Sequence, residues 1–138
     1  MKEEGGARLT TGELAAVIDV PYGTLAEWVG LGLVRPTETK QGKIARHLFG
    51  YDAAFIALLI AELRRQGIRP REASAVVYDV AASLEKEGKG KLWQYQGLIV
   101  VLRPPVAARF DTEKVSAALD QRIAAHLRKR FDFPGEQV

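Results

Sequence analysis

A proline at position 21 divides the first part of the chain into two short helical patterns. Upstream of it, Thr10 is followed three residues later by Glu13, which is the spacing of a capping box at the start of a helix. Pro21 itself cannot lie in the interior of a helix, and it disfavours helical backbone at the residue before it. The first helix is therefore expected to be short and to end near Asp19.

The second helix is expected to begin at the same proline, because a missing amide hydrogen costs nothing in the first turn of a helix. Its apolar positions Leu25 and Trp28 are three residues apart and predict one buried face. Gly30 and Gly32 then favour the end of the helix. Two short helices joined by so tight a turn predict a helix-turn-helix motif.

A basic segment follows at residues 33–48, where the loop TKQG separates two predicted short strands. Only Glu38 opposes its positive charges, which are Arg35, Lys40, Lys43 and Arg46. Such a cluster is either an ordinary solvated surface or a surface for a polyanion. The net charge of the chain, +3, gives only weak support for the second possibility.

The rest of the chain is predicted to contain three further helices and one β-hairpin. Two helices are expected over residues 51–66 and 69–84, followed by a charged, glycine-rich linker over residues 85–91. The sequence KLWQYQGLIVVLRPP then favours a hairpin that turns at Gln96 and Gly97. Because LIVVL is continuously apolar, its strand is expected to be covered on both faces.

The last helix is expected to run from Asp111 to about Arg130 and to carry a narrow apolar stripe. The stripe residues recur every four positions and are Val115, Leu119, Ile123 and Leu127. They form the candidate dimerisation surface, and packing onto the hairpin of the same chain is the alternative. The predicted fold class is mainly α with a small β part (α+β). Residues 1–84 would form one domain, and residues 92–138 a second region for dimerisation or for an effector.

Composition argues against most catalytic and metal-binding classes. The chain has no cysteine, which excludes disulfides, thiolate metal sites and cysteine nucleophiles. Its two histidines, His47 and His126, have no carboxylate pattern beside them, and the sequence GKGK lacks the context of a phosphate-binding loop. No catalytic residue, metal site or cofactor is therefore expected. The longest apolar run, LIVVL, is too short to cross a membrane, and no signal peptide is visible, so a cytoplasmic protein is expected.

In the order of its elements and in its residues, the segment 9–80 resembles the MerR family of bacterial transcription regulators. The resemblance rests on LTTGELAAVIDVPYGTLAEWVGLGLVRP, RHLFGYDAAFIALLIAELRRQGI and PREASAVV. The matching landmarks are Gly12, Glu13, Leu14, Ala15, Val20, Thr24, Leu25, Gly32, Leu33, Pro36, Phe49, Asp52, Leu63, Arg64, Gly67 and Glu72. The resemblance implies a winged helix-turn-helix, a double-stranded DNA partner, a homodimer and contact with RNA polymerase.

Several positions differ from the family pattern. Gly23 and Ala26 stand where the family commonly has arginines in its recognition helix, and Glu27 occupies one of two positions that are commonly aromatic. His47 stands at the usual arginine of the second wing strand. In many family members a long dimerising helix follows the fourth helix directly, whereas this chain has a glycine-rich linker and a hairpin there.

For DNA binding, the exposed side of the second helix would enter the major groove, and the wing would contact phosphates or the minor groove. The candidate contacts from the helix pair are Thr11, Tyr22, Gly23, Thr24 and Glu27. Those from the wing are Lys40, Gln41, Lys43, Arg46 and His47. Trp28 is expected to belong to the core instead.

Three functions are compatible with these residues. The first is a sequence-specific transcription regulator of MerR type that acts as a dimer on a promoter. The second is a DNA-architectural winged-helix protein, such as a phage excisionase-like or packaging factor. The third is a winged-helix adaptor that binds a protein of the transcription machinery. Gly23, Ala26 and Glu27 favour the adaptor, whereas the cations of the wing oppose it.

Overall fold

The computed structural model of the protein describes residues 8–131 and shows a mixed α+β fold, which confirms the predicted class at this level. The helices are α1 (Thr11–Ile18), α2 (Tyr22–Gly30), α3 (Tyr51–Arg65), α4 (Pro70–Lys86) and α5 (Thr112–Phe131), with a short 3₁₀ helix at Leu92–Gln94. The strands are β1 (Leu9–Thr10), β2 (Glu38–Lys40), β3 (Arg46–Phe49), β4 (Leu98–Arg103) and β5 (Val106–Asp111). The predicted regions 1–84 and 92–138 also include residues 1–7 and 132–138, which lie outside the described residues.

The pair α1–α2 forms as its local sequence predicts. The Glu13 amide donates to Thr10 Oγ1 at 3.2 Å, and the Thr10 amide donates to Glu13 Oε1 at 2.9 Å, which completes the capping box. At the other end of α1, Asp19 adopts a left-handed conformation with φ of 59°. The chain then passes through Pro21 and enters α2 directly.

A three-stranded antiparallel sheet in the order β1-β3-β2 is attached to this helix pair. Leu9 pairs with Phe49, and both side chains are buried. Because β1 runs directly into α1, its pairing with β3 fixes the start of α1 against the sheet. On the other side of β3, Lys40 pairs with Arg46, so the connection between β2 and β3 lies at residues 41–45. The loop predicted at TKQG is therefore shifted, because Thr39 and Lys40 belong to β2.

Helix α3 occupies the centre of the core. Residues 53–61 are buried without interruption, as the broad apolar face of the sequence indicated. The helices α1, α4 and α5 and the strand β3 all pack on it. A fully apolar helix surface is stable only when neighbouring elements cover each side, and these elements supply that cover.

The predicted turn of the C-terminal hairpin is wrong. The strands β4 and β5 turn at Pro104 and Pro105, where Arg103 pairs with Val106, and not at Gln96–Gly97. Prolines cannot donate to a strand ladder, so two in a row are suited to the turn. Gly97 instead lies ahead of β4, where its amide donates to Thr112 Oγ1 at 3.1 Å and its carbonyl accepts from the Thr112 amide at 3.0 Å.

The expectation that LIVVL is covered on both faces is also wrong. Val101 is buried, but Leu98, Val100 and Leu102 are 55%, 54% and 64% exposed. Alternate residues of a strand point to opposite faces, and within the described residues the body of the protein covers only one face of this two-stranded sheet. The three exposed residues, called here the β4 face, form an apolar surface in contact with solvent.

The stripe on α5 does not form a free dimerisation surface. Leu119 is completely buried, Val115 and Ile123 pack against the same core, and Leu127 is half-buried. The helix lies on α1 and α3 as well as beside β5, so the stripe is used within its own chain. Leu119 is therefore not available for dimerisation, because it has no exposed surface.

Polar contacts also join α5 to the N-terminal helices. Tyr51 OH lies 2.8 Å from Ser116 Oγ, and Arg122 donates to the Val17 carbonyl at 3.3 Å. His126 Nε2 lies 3.3 Å from Glu13 Oε2. Since α4 continues to Lys86, the predicted linker is shorter than expected, and the parts on its two sides share one hydrophobic core. Within residues 8–131, no helix combines the length and the apolar character needed to span a membrane.

This shared core predicts that a mutation in α5 destabilises the whole fold. Leu119→Ala should lower the free energy of unfolding by about 3 kcal/mol, because it removes a completely buried side chain and leaves a cavity. Leu102→Ala removes the same atoms from an exposed position and should have little effect. Chemical denaturation followed by circular dichroism measures both. A loss confined to a separate, minor transition would contradict the single core.

Candidate nucleic-acid interface

The side of α2 that faces away from the core carries the residues predicted to contact DNA. Tyr22 is 61% exposed, and Gly23 and Glu27 are exposed as well, whereas Thr24 is half-buried. On the opposite side, Trp28 is buried in the core, as predicted. The face thus offers an aromatic ring, the exposed backbone of a glycine, a hydroxyl and one carboxylate.

Tyr22 is held at the junction of the two helices. Its ring lies over Gly12 in the first turn of α1, and a Cβ at that glycine would be 3.8 Å from Tyr22 Cδ1. Thr11, the preceding residue, is half-buried at this junction. The start of α2 is therefore adjacent to the start of α1, which itself follows the paired strand β1.

Residues 40–46, called here the basic loop, join β2 to β3 and are exposed throughout. Lys40, Lys43 and Arg46 form no ion pair with any residue that the structure describes. Gln41 is exposed beside them. The loop therefore concentrates positive charge that is unpaired among the described residues at one end of the β2–β3 pair.

His47 differs from the other predicted wing residues because its ring is already engaged. It is half-buried, and its Nδ1 lies 2.9 Å from Oγ1 of Thr39, its partner across the ladder. This contact ties β2 to β3 at the base of the basic loop. His47 thus stabilises the base of the basic loop, and the exposed cations lie in the loop itself.

The base of the loop is anchored to the rest of the fold by backbone contacts. The Thr37 amide donates to the Leu48 carbonyl at 2.9 Å, and Thr37 Oγ1 accepts from the Gly50 amide at 2.7 Å. Upstream, Ser74 of α4 donates its hydroxyl to the Leu33 carbonyl at 2.7 Å. The segment between α2 and β2 is thus fixed at both ends.

A contact with α4 fixes Arg35 at the exit from α2. Its guanidinium lies over the Tyr78 ring, 4.0 Å from the centroid, and its amide donates to Tyr78 OH at 2.9 Å. Burial raises the pKa of Tyr78 above its ordinary value. Tyr51 lines a small cavity together with Arg35 and Tyr78, and burial raises its pKa as well.

The end of α3 and the start of α4 carry a second basic group that the sequence analysis missed. Arg65 donates to the Ile18 carbonyl at 3.3 Å, at the turn between α1 and α2, and the Arg64 guanidinium lies 6.0 Å from the centroid of the Trp28 ring. Arg69 and Arg71 follow on the surface. The sequence RRQGIRPRE was the available signal, but its position beside the helix pair is a tertiary property.

The predicted contacts therefore lie on elements that are joined to one another. Tyr22 packs on α1, the strand that precedes α1 pairs with β3, and β3 begins at Arg46. Positive charge is supplied by the basic loop and by the arginines near the α3–α4 loop, whereas the outer face of α2 contributes Glu27 and no cation. Among residues 8–131, there is no group of three or more histidine and acidic side chains placed to hold a metal ion.

Buried Tyr51 and half-buried Tyr78 predict a loss of stability at high pH. In the unfolded chain a tyrosine ionises at about pH 10, but in the folded protein burial keeps both phenols neutral to higher pH. The stability that depends on these two neutral phenols is thus fully present below about pH 10 and falls above it. Between pH 8 and pH 10.5, the free energy of unfolding measured by denaturation should fall less for a Tyr51→Phe/Tyr78→Phe double variant than for wild type. An equal fall in the two proteins would contradict the assignment of this pH dependence to the two tyrosines.

The chain matches no protein-family model and no curated protein. Its function is therefore inferred from its residues and from the surfaces that the fold creates.

Proposed function

We propose that this protein is a DNA-binding transcription regulator of MerR type that works in the cytoplasm through a winged helix-turn-helix. In this proposal α1 and α2 are the two helices of the motif, and the sheet β1-β3-β2 with the basic loop is its wing. The observation that carries it is the exposed outer face of α2 together with the cations of the basic loop, which have no ion-pair partner among the described residues and lie on a sheet joined to the same helix pair.

The proposed role of α2 is to lie in the major groove. Tyr22, at its first turn, would stack on a sugar or meet a thymine methyl group. Thr24 would donate to a phosphate, as short hydroxyls near helix N-termini commonly do. Glu27 would repel phosphate, but its carboxylate is able to accept a hydrogen bond from a cytosine amino group. The helix would thus contribute more to sequence discrimination than to affinity.

The proposed source of affinity is the basic loop. Lys40, Lys43 and Arg46 are exposed and unpaired among the described residues, so they would neutralise phosphates at little cost in broken contacts. Arg69 and Arg71 are also exposed and would add to the positive charge of the protein.

A dimer belongs to the proposal because a single module of this size makes few base contacts. Specific readers of this kind usually pair two modules on half-sites related by two-fold symmetry. Since the α5 stripe packs within its own chain, we infer that a second copy of the chain packs on the β4 face. That face holds three large side chains, far fewer than a standard interface requires, so the free dimer should be weak. Contact with RNA polymerase is implied by the MerR resemblance alone.

Two alternatives differ in what the surface binds. A DNA-architectural protein would use the same residues, and its sites would cluster at one recombination or packaging locus instead of at promoters. An adaptor would bind a protein, and it is favoured by the absence of a cation on the outer face of α2, where Glu27 is exposed. The basic loop favours DNA over the adaptor.

The DNA proposal predicts a definite salt dependence. Binding to a random duplex should weaken as salt rises, and Lys43→Ala/Arg46→Ala should reduce the slope of log K against log salt by about two, because each phosphate contact contributes about 0.9. The control variant Lys86→Ala/Lys114→Ala removes the same charge from positions outside the proposed surface. Fluorescence anisotropy over a salt series measures all three proteins.

The outcomes of this titration separate the candidates. Equal slopes for the two double variants would show that the basic loop does not contact the backbone. If the wild type does not bind duplex DNA even at low salt, the DNA proposal fails and the adaptor is favoured. A map of genomic binding sites then distinguishes promoters from a single locus.

The dimer inference predicts that Val100→Asp yields a monomer. Val100 is 54% exposed, and its ladder partner is Arg109, so an aspartate would be accommodated in the hairpin but not in an apolar interface. Ala117→Asp places the same charge on an exposed position of α5. Sedimentation over a concentration series should show self-association for wild type and Ala117→Asp only. Self-association that survives Val100→Asp would exclude the β4 face.

A further inference from the structure

The basic loop contains one strongly exposed apolar side chain. Ile44 is 80% exposed, which is the largest value among the large apolar residues in the described part of the chain. It follows Lys43 and lies two residues before Arg46, so cations flank it on both sides. Single exposed apolar residues are common on protein surfaces, so exposure alone assigns no role to it.

The position of Ile44 in the fold gives its exposure significance. The loop is closed at its base by the pairing of Lys40 with Arg46 and by the contact between Thr39 and His47. The strand β3 is itself paired on its other side with β1, so the base is held by two neighbouring strands. The fold therefore supports this apolar side chain at the tip of a projecting, positively charged loop.

This combination matches what insertion into a DNA minor groove requires. Proteins that kink DNA from the minor groove use apolar wedges, isoleucine among them, that enter between neighbouring base pairs. Lysine and arginine beside the wedge hold the backbone during the partial loss of base stacking. The loop provides a wedge and flanking cations, and the cations have no ion-pair partner among the described residues.

We propose that Ile44 is a wedge that enters the minor groove beside the α2 site and kinks the duplex at one base step. The proposal rests on the proposed DNA-binding function and adds to it a residue with its own role. Pyrimidine–purine steps such as TA unstack most easily, whereas A-tracts are stiff. Ile44 would therefore select deformable DNA at a position where the protein makes no hydrogen bond to a base.

The test compares bending and affinity on two duplexes that differ only in the flanking region, one with TA steps and one with an A-tract. Each duplex carries a donor and an acceptor dye at its ends, so that energy transfer reports the bend. Wild type should bend the TA duplex and bind it about tenfold more tightly than the A-tract duplex. Ile44→Ala should lose the bend and most of this preference. Ile44→Met, which keeps a large apolar side chain, should retain both.

The control variant is Leu31→Ala, which shortens another exposed apolar residue at the far end of α2 and should leave bending unchanged. The salt slope of Ile44→Ala should equal that of wild type, because no charge is removed. If Ile44→Ala binds and bends both duplexes like wild type, the wedge is excluded while DNA binding stands. If wild type binds neither duplex, the proposed function itself fails.

Discussion

Helix α3 is the element on which the rest of the fold depends, because its residues 53–61 are apolar on every side. Leaving any of its faces in water would cost about 25 cal/mol per Å² of apolar surface. The fold meets this constraint by packing α1, α4, α5 and β3 around it. The C-terminal helix is therefore part of the central core and not a separate module. The same packing brings the α1–α2 pair and the three-stranded sheet onto one body.

The surface that remains exposed is electrically divided. The outer face of α2 has an aromatic ring and the Glu27 carboxylate, whereas the basic loop carries three cations that form no ion pair with any described residue. In the proposed complex, attraction to the DNA backbone comes from the basic loop, and α2 provides shape and a few polar groups. Such a division would make non-specific affinity depend on the basic loop and discrimination depend on α2 and Ile44.

Prediction from the sequence succeeded where the determining contacts are local. The capping box of Thr10 and Glu13 and the break at Pro21 involve neighbouring residues, so the helix pair was placed correctly. The turn of the hairpin was misplaced because glycine is typical of turns, whereas Gly97 is hydrogen-bonded to Thr112, fifteen residues away in sequence. The α5 stripe was correctly identified as apolar, but a periodic pattern does not say which surface covers it.

The sequence by itself determined the α+β class, the break between α1 and α2 and the exposed cations of the basic loop, since these follow from capping, proline geometry and charge over short distances. Only the tertiary structure decided that α5 is buried against α1 and α3, that one face of β4 is exposed, and that Ile44 projects between cations. These properties depend on which surfaces meet in space. Residues distant in the chain compete to cover α3, and the outcome of that competition is set by packing across the whole domain.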